Sequence, residues 1–467
     1  MLLLAIDEGT SSARAIVFTT EGEVVGIGRR PVPLSYPHPG WVEQEAEALW
    51  QAQYEAVQEA LRVASISPAQ IKAVGLTNQR ETTLAWHPDT GRPYGPAIVW
   101  QDRRTAPYCE ALQSKKALLR QKTGLLPDPY FSATKIQWML QEGGVPPTAQ
   151  FGTVDSWLLY KMTGQARTDV SNASRTLLFD LQSLSWDAEL CELFGVPKQS
   201  LPPVQPSGSF FGETRIWGGR WPILAVLGDQ QAALYGHGAF EPGQTKCTYG
   251  TGAFVLKNIG PRPLPAPEGL LTTVAWQEAG QPALYAWEAA IFSAAAALQW
   301  LEQLGLLSDY RELDNLEGSA GEVFFVPAFT GLGTPYWDPY ARGLIIGLER
   351  DTHRQTLLLA ALEAIAYQTA DTLELFGPIS ELRVDGGVSQ NALLMQLQAD
   401  LAGRPVVRPP HGEVTAWGAA ALAGRQAGLP MRTLTPAVKW EPRPRPNLLE
   451  RWREAVRRAQ GWARPTS

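Results

Sequence analysis

The chain has 467 residues, 45% hydrophobic and 18% charged, with a formal net charge of -6. At about 100–200 residues per domain this length makes two to four ordinary globular domains, and the acidic balance argues against a surface built to coat nucleic acid. Three cysteines, Cys109, Cys191 and Cys247, are far apart and form no CxxC pair, which speaks against a disulfide framework or a zinc site and for a reducing, cytoplasmic setting.

In chain order, "LLLAI", "ARAIVF" and "VVGIG" are short β-rich runs separated by "DEGTSS" and "TTEGE". They predict an antiparallel meander at the start of the chain, without a signal-peptide pattern. A helical pattern is expected from about Glu43, and "IKAVGLTNQ" reads as a buried strand ending in polar residues. Strand and helix then alternate, which makes the class α/β. Near residue 245, "TKCTYGTGAFVLKNIG" repeats the first meander in miniature. "AAIFSAAAALQWL", the most apolar stretch, is too short to span a membrane. A long helix is expected from Thr356, and "ELRVDGGVSQNALLMQLQADLAGRP" reads as strand, double glycine and helix, with Gly403 as C-cap. Two related domains follow, residues 1–237 and 238–467, with the boundary in the Gly- and Pro-rich "GHGAFEPGQ". In the tail, Asn447 with Glu450 resembles a capping box. Leu448, Leu449, Trp452, Ala455, Val456 and Ala459 share one helical face, which predicts docking onto the protein's own surface.

"AIDEGTSSAR" carries more donors than a hairpin turn needs. Glycine allows close approach, and consecutive N–H groups with added hydroxyls make an anion nest suited to phosphate. Asp7, at the strand end, is placed for a metal-bound water. "YGTG" supplies Gly250, Thr251 and Gly252 in the same role at the head of the second half. The strand-to-helix turn at Gly386–Gly387 suits a nucleotide.

Three such turns converging from two domains are how the actin-like ATPase superfamily holds ATP. "GLTNQRETTLAW", "IVWQDRRTA", "DPYFSATKIQWML", "SNASRTLLFD", "GDQQAALYGHG", "PAFTGLGTPYWDPYARG" and "GEVTAWGAAALAG" occur in order along nearly the whole chain. In these motifs the chain resembles the sugar-kinase family of that superfamily and, within it, the glycerol branch. The resemblance implies two related ribonuclease H-like domains, β-sheets flanked by helices, with the active site in the cleft between them. It implies ATP-dependent phosphorylation of glycerol to sn-glycerol 3-phosphate, with ATP and Mg²⁺ as cofactors. Arg80, Glu81, Tyr130, Asp229 and Gln230 match the polar contacts to the acceptor, Asp229 being the general base. Trp100 and Phe254 match the apolar wall behind the carbon chain. Thr10, Ser11, Ser12, Arg14 and Thr251 correspond to the phosphate end, Ala295, Gln299, Gly387 and Asn391 to the nucleoside end, and Asp7 to the metal anchor. A homodimer or homotetramer, without nucleic-acid or membrane partners, completes the expectation.

The acceptor set makes sense for a triol. Each hydroxyl donates and accepts at once, so an acid, a guanidinium and an amide satisfy both roles while aromatic rings cover the C–H side. The chain departs from the family pattern at Glu8, where a glutamine is usual, and at Ala13. It departs again at Asp102 and at Ala295, where a nucleotide-contacting glycine is usual. Glu8 is expected to point away from the phosphates, and Ala295 is expected to tighten the nucleotide cleft at some loss of nucleotide affinity, while the helix-forming "AAAAL" around it gains stability from the alanine. The Pro206–Trp221 loop has no histidine, so control by phosphorylation of a histidine there is not expected. A kinase for another small polyol or ketose, and a non-catalytic ATP-binding switch, are the rival readings.

Overall fold

The structure, a computed structural model, describes residues 1–444 and 448–464; Asn447, and with it the expected capping box, lies outside the described residues. The N-terminal sheet holds β1 (Leu2–Glu8), β2 (Ser12–Thr19), β3 (Val24–Pro31), β4 (Ile71–Asn78), β5 (Gly208–Thr214) and β6 (Trp221–Gly228), in the order β5-β6-β4-β1-β2-β3. β1, β2 and β3 form the expected antiparallel meander, whereas β4 runs parallel to both β1 and β6. The stretch from Pro206 to Trp221 is built around β5 and its antiparallel pairing with β6, and is therefore more ordered than a loop.

The second sheet repeats this plan. Its strands are β7 (Thr245–Tyr249), β8 (Ala253–Gly260), β9 (Leu271–Trp276), β10 (Leu284–Ile291), β11 (Leu382–Asp385), β12 (Val406–Arg408) and β13 (Val438–Trp440), in the order β9-β10-β8-β7-β11-β12-β13. β7 pairs antiparallel with β8 and parallel with β11, and β8 pairs antiparallel with β10. β7-β8-β10-β11-β12 thus corresponds strand for strand to β1-β2-β3-β4-β6. Each sheet begins with a tight hairpin whose turn sits beside the carboxyl end of a parallel strand.

The first helix spans Ala46–Ala64, later than the periodicity suggests, because Glu43–Gln44 pairs as a short strand with Ala97–Ile98. The reason is tertiary. Gln44 Nε2 donates to the Thr10 carbonyl at 2.6 Å and its Oε1 accepts from Gln79, so the residue braces the first turn instead of entering the helix. The helix Val414–Gln426 returns to the N-terminal sheet. A Cβ at Gly418 would lie 1.8 Å from the Ala232 carbonyl oxygen, and one at Gly75 would lie 2.1 Å from that of Ala419, so glycine permits this close packing. One apolar cluster accordingly joins Leu3, Ala5 and Phe18 to Trp417 and Ala420, and reaches Leu256 and Ala286 of the second sheet.

The tail helix, Leu449–Ala459, buries Leu449, Trp452, Ala455, Val456 and Ala459 in the C-terminal core. Trp452 stacks on Tyr367 with centroids 5.8 Å apart. The basic tail therefore docks on its own domain. Cys109, Cys191 and Cys247 are free and buried, and among the described residues no helix is long and apolar enough to cross a membrane.

Candidate active site

A 420 Å³ cavity opens between the two sheets where both hairpin turns converge. Strand alternation places Asp7 in its lining, whereas Glu8 is absent from it. The Gly9 amide donates to the Ser12 carbonyl at 3.1 Å, closing the first turn and presenting Thr10 and Ser11 to the cavity. Ser12 begins β2 and is not brought into the lining. Arg14 reaches in from β2, pairing with Asp7 and, at 2.8 Å, with Glu413.

The second turn faces the first. Gly250, Thr251 and Gly252 line the same cavity, with Asp385, Gly386 and Gly387 alongside. Gly386 has φ of 87°, and a Cβ there would sit 2.3 Å from the Tyr249 carbonyl oxygen, so this close crossing needs glycine. Asp385 meets His237 Nε2 at 2.6 Å; despite its burial, this partner holds the carboxyl below its ordinary range. A second cavity, of 440 Å³, shares Gly250, Gly387 and Gln390 with the first, and is lined by Ala295, Gln299 and Asn391. Apart from Ser12, the residues assigned to the two ends of a nucleotide thus lie along one continuous groove.

Ala295 is the first residue of its helix, Ala295–Gln303, because β10 runs on to Ile291. Its amide is bonded to the Gly250 carbonyl at 3.1 Å. The expected stability gain of alanine in a helix interior therefore does not apply at this position.

Beyond the two hairpin turns lies a polar floor. Arg80 and Glu81 follow β4, and both are essentially buried. Glu81 has φ of 62°, an uncommon conformation for a side-chain-bearing residue. It is held by two donors to its carbonyl, Thr83 Oγ1 at 2.8 Å and Ser132 Oγ at 3.2 Å, while the Thr82 amide bonds the Arg80 carbonyl at 2.7 Å. Asp229 opens the helix Asp229–Gly236 at the end of β6. Its Oδ1 lies 3.1 Å from Arg80 Nε and accepts from the Gln230 amide at 2.7 Å. Burial raises the pKa of Asp229, opposed by the Arg80 charge. Trp100, Tyr130 and Phe254 form the wall, with Trp100 set edge-on to Tyr130 at 5.7 Å and to Phe254 at 6.1 Å. Trp100 Nε1 donates to Thr10 Oγ1 at 2.9 Å, tying the wall to the first phosphate turn.

Three charged residues absent from the sequence-derived set support this floor. Arg175 Nε donates to Glu81 at 2.6 Å; it lies within "SNASRTLLFD", a motif used only for family likeness. Glu288 accepts from Arg80 Nη1 at 2.7 Å and Nη2 at 3.0 Å; its signal was one carboxylate inside the apolar strand "LYAWEAAI". Lys246 donates to Gln230, to Thr248 Oγ1 at 2.9 Å and to the Phe254 carbonyl at 3.3 Å, and burial lowers its pKa to about 8.

Glu8 is fully buried, and neither of its carboxyl oxygens has a hydrogen-bond partner. Burial, reinforced by the neighbouring Asp7 charge, pushes its pKa well above the ordinary value, so the folded protein keeps it protonated further up the pH scale than the unfolded chain does. Above the unfolded carboxyl pKa the folded state binds the extra proton, so this group costs stability progressively as pH rises. Glu8→Gln removes the ionisation and keeps the shape. Its melting temperature is expected to exceed that of the wild type at pH 7–8, with the gain disappearing towards pH 4–5. A gain independent of pH would contradict this account.

Two duplicated sheets closing on paired glycine-rich turns, with a cavity-facing acid and a buried arginine between them, define a two-domain phosphotransferase of the actin-like ATPase fold. Residues 2–236 match the N-terminal domain, and residues 245–427 the C-terminal domain, of the FGGY family of carbohydrate kinases; the chain belongs to that family. It is 50% identical to a glycerol kinase of Thermus brockianus over 98% of this chain and 99% of that one. Identity to a glycerol kinase of Geobacter sp. strain M21 is 48%, with the same coverage. A crystal structure of Plasmodium falciparum glycerol kinase with ADP superposes with a TM-score of 0.87 at 31% identity, covering 98% of each chain.

Proposed function

We propose that the chain transfers the γ-phosphoryl group of ATP to glycerol, giving sn-glycerol 3-phosphate. The observation that carries this reading is the Arg80–Asp229 pair, 3.1 Å apart, between an aromatic wall and two phosphate turns. The acceptor hydroxyl meets Asp229 on its cavity side. Asp229 Oδ1 is engaged by Arg80 and by the Gln230 amide, which fixes the carboxylate and leaves Oδ2 to take the proton as the hydroxyl attacks in line. Arg80 and Tyr130 supply donors, Glu81 an acceptor, and Trp100 and Phe254 cover the C–H surface. Thr10, Ser11 and Thr251, with backbone amides of both turns, hold phosphate oxygens, and Arg14 offsets their charge.

Mg²⁺ fits the phosphate end. Asp7, Asp385 and Glu413 line it, and among the described residues no cluster of three or more His, Cys, Asp or Glu forms an all-protein cage. This donor set suits a hard cation held largely by water and phosphate oxygens, with Asp7 as the protein anchor. When bound, the ion neutralises charge on the β- and γ-phosphates.

The test is ADP release by the purified protein with MgATP and a panel of acceptors. Glycerol is expected to give the highest kcat/KM; a tetritol or ketose ahead of it would reassign the substrate, and no release with any acceptor would favour the switch reading. A cytoplasmic setting agrees with three unpaired cysteines. The proposed homodimer or homotetramer is read from light scattering of the same preparation.

A further inference from the structure

Glu288 lies in β10, in the interior of the second sheet, yet its carboxylate is spent on the first domain. It is fully buried, and β10 holds it between Leu271 of β9 and Leu256 of β8. Oε2 accepts from Arg80 Nη1 at 2.7 Å, and Oε1 accepts from Arg80 Nη2 and from Arg175 Nη2, each at 3.0 Å. Burial opposes its ionisation, but the two guanidinium groups outweigh that and hold its pKa below the ordinary range. The Arg80 fork is therefore gripped on both terminal nitrogens by one domain while its Nε faces Asp229 in the other. Its remaining contacts, to Tyr130 Oη at 3.3 Å and Gln231 Oε1 at 3.4 Å, are long. Tyr130 lines the cavity and Gln231 does not, so the weakly used Nη2–H beside Tyr130 is the direction available to an acceptor hydroxyl. Phe254, on the neighbouring strand β8, stands 5.8 Å from the guanidinium carbon and completes the frame.

We infer that Glu288 is a positioning residue for the acceptor: it fixes the plane of the Arg80 guanidinium so that Nε serves Asp229 and the second N–H of Nη2, beside Tyr130, faces the hydroxyls. The physical basis is that a two-point carboxylate–guanidinium pair sets orientation as well as charge, which a single contact does not. Because the carboxylate comes from β10, acceptor recognition by the first domain depends on the seating of the second. This rests on the glycerol-kinase reading above.

The test compares Glu288→Asp and Glu288→Gln with the wild type. Aspartate keeps the charge and the two-oxygen head but, one methylene shorter, sets it back from the Arg80 nitrogens; glutamine keeps the length and loses the charge. Both are expected to lower kcat/KM for glycerol by about 10²-fold, the scale expected for misplacing a reacting group by an ångström. Glycerol KM should rise, while ATP KM and ADP affinity by calorimetry stay within about twofold, the scatter allowed for sites that are not coupled. Wild-type glycerol KM in Glu288→Asp would overturn the inference, because charge compensation alone would then suffice. So would equal damage to the glycerol and ATP parameters. If Glu288→Gln does not fold, the aspartate variant decides alone. A wild type that releases no ADP with glycerol would refute the functional reading instead.

Discussion

Asp229→Asn is expected to retain glycerol binding and to lose about 10²–10⁴-fold in kcat, the range for removing a general base. Asparagine presents the same outline and still bonds a hydroxyl, but cannot take its proton. As the proposed base, Asp229 must be ionised to act. Burial lifts its pKa above the ordinary value, so activity should rise with pH along an acidic limb lying above the usual aspartate range, and that limb should vanish in the asparagine variant. Calorimetry for glycerol and single-turnover kinetics with MgATP separate binding from chemistry. A fall in kcat smaller than about fivefold, well short of that range, would remove Asp229 as the base.

Arg80→Lys should cost about 10²-fold or more in kcat/KM for glycerol, with ATP affinity little changed. Lysine keeps the charge but has one point of contact, whereas Arg80 serves Glu288 with two nitrogens and Asp229 with a third. Without the two-nitrogen grip of Glu288 the remaining charge is misplaced towards the acceptor, and a misplacement of about an ångström costs an effect of that size, about 10²-fold. The variant should also melt at lower temperature, because the buried Glu288 carboxylate keeps only part of its compensation. Equal losses in the glycerol and ATP parameters would indicate that Arg80 serves folding and not the acceptor.

The turns were legible because their signal is local. "DEGTSS", "YGTG" and "VDGG" concentrate glycine, hydroxyls and an acid within a few residues, and a backbone that must turn tightly leaves few other uses for them. The duplicated meander was legible for the same reason, as was the tail helix from its apolar face. Ser12 looks equivalent to Thr10 and Ser11 in the sequence, yet β2 begins with it and it does not line the cavity. Ala295 gains nothing as a helix-interior residue, because composition marks a helix but not the residue at which the preceding strand releases the chain.

The sequence by itself determined the α/β class and the glycine- and hydroxyl-rich turns, since each is carried by a short contiguous motif, whereas Arg80 and Asp229, each in its own motif, were singled out through family resemblance and stand 3.1 Å apart only in the fold. Only the tertiary structure decided what holds that pair. Glu288 meets Arg80 across 208 residues, and Arg175 meets Glu81 across 94. Such pairs leave no periodicity or spacing to read. A buried ion must find its partner when separate segments pack together, and only the path of the folded chain specifies which segments those are.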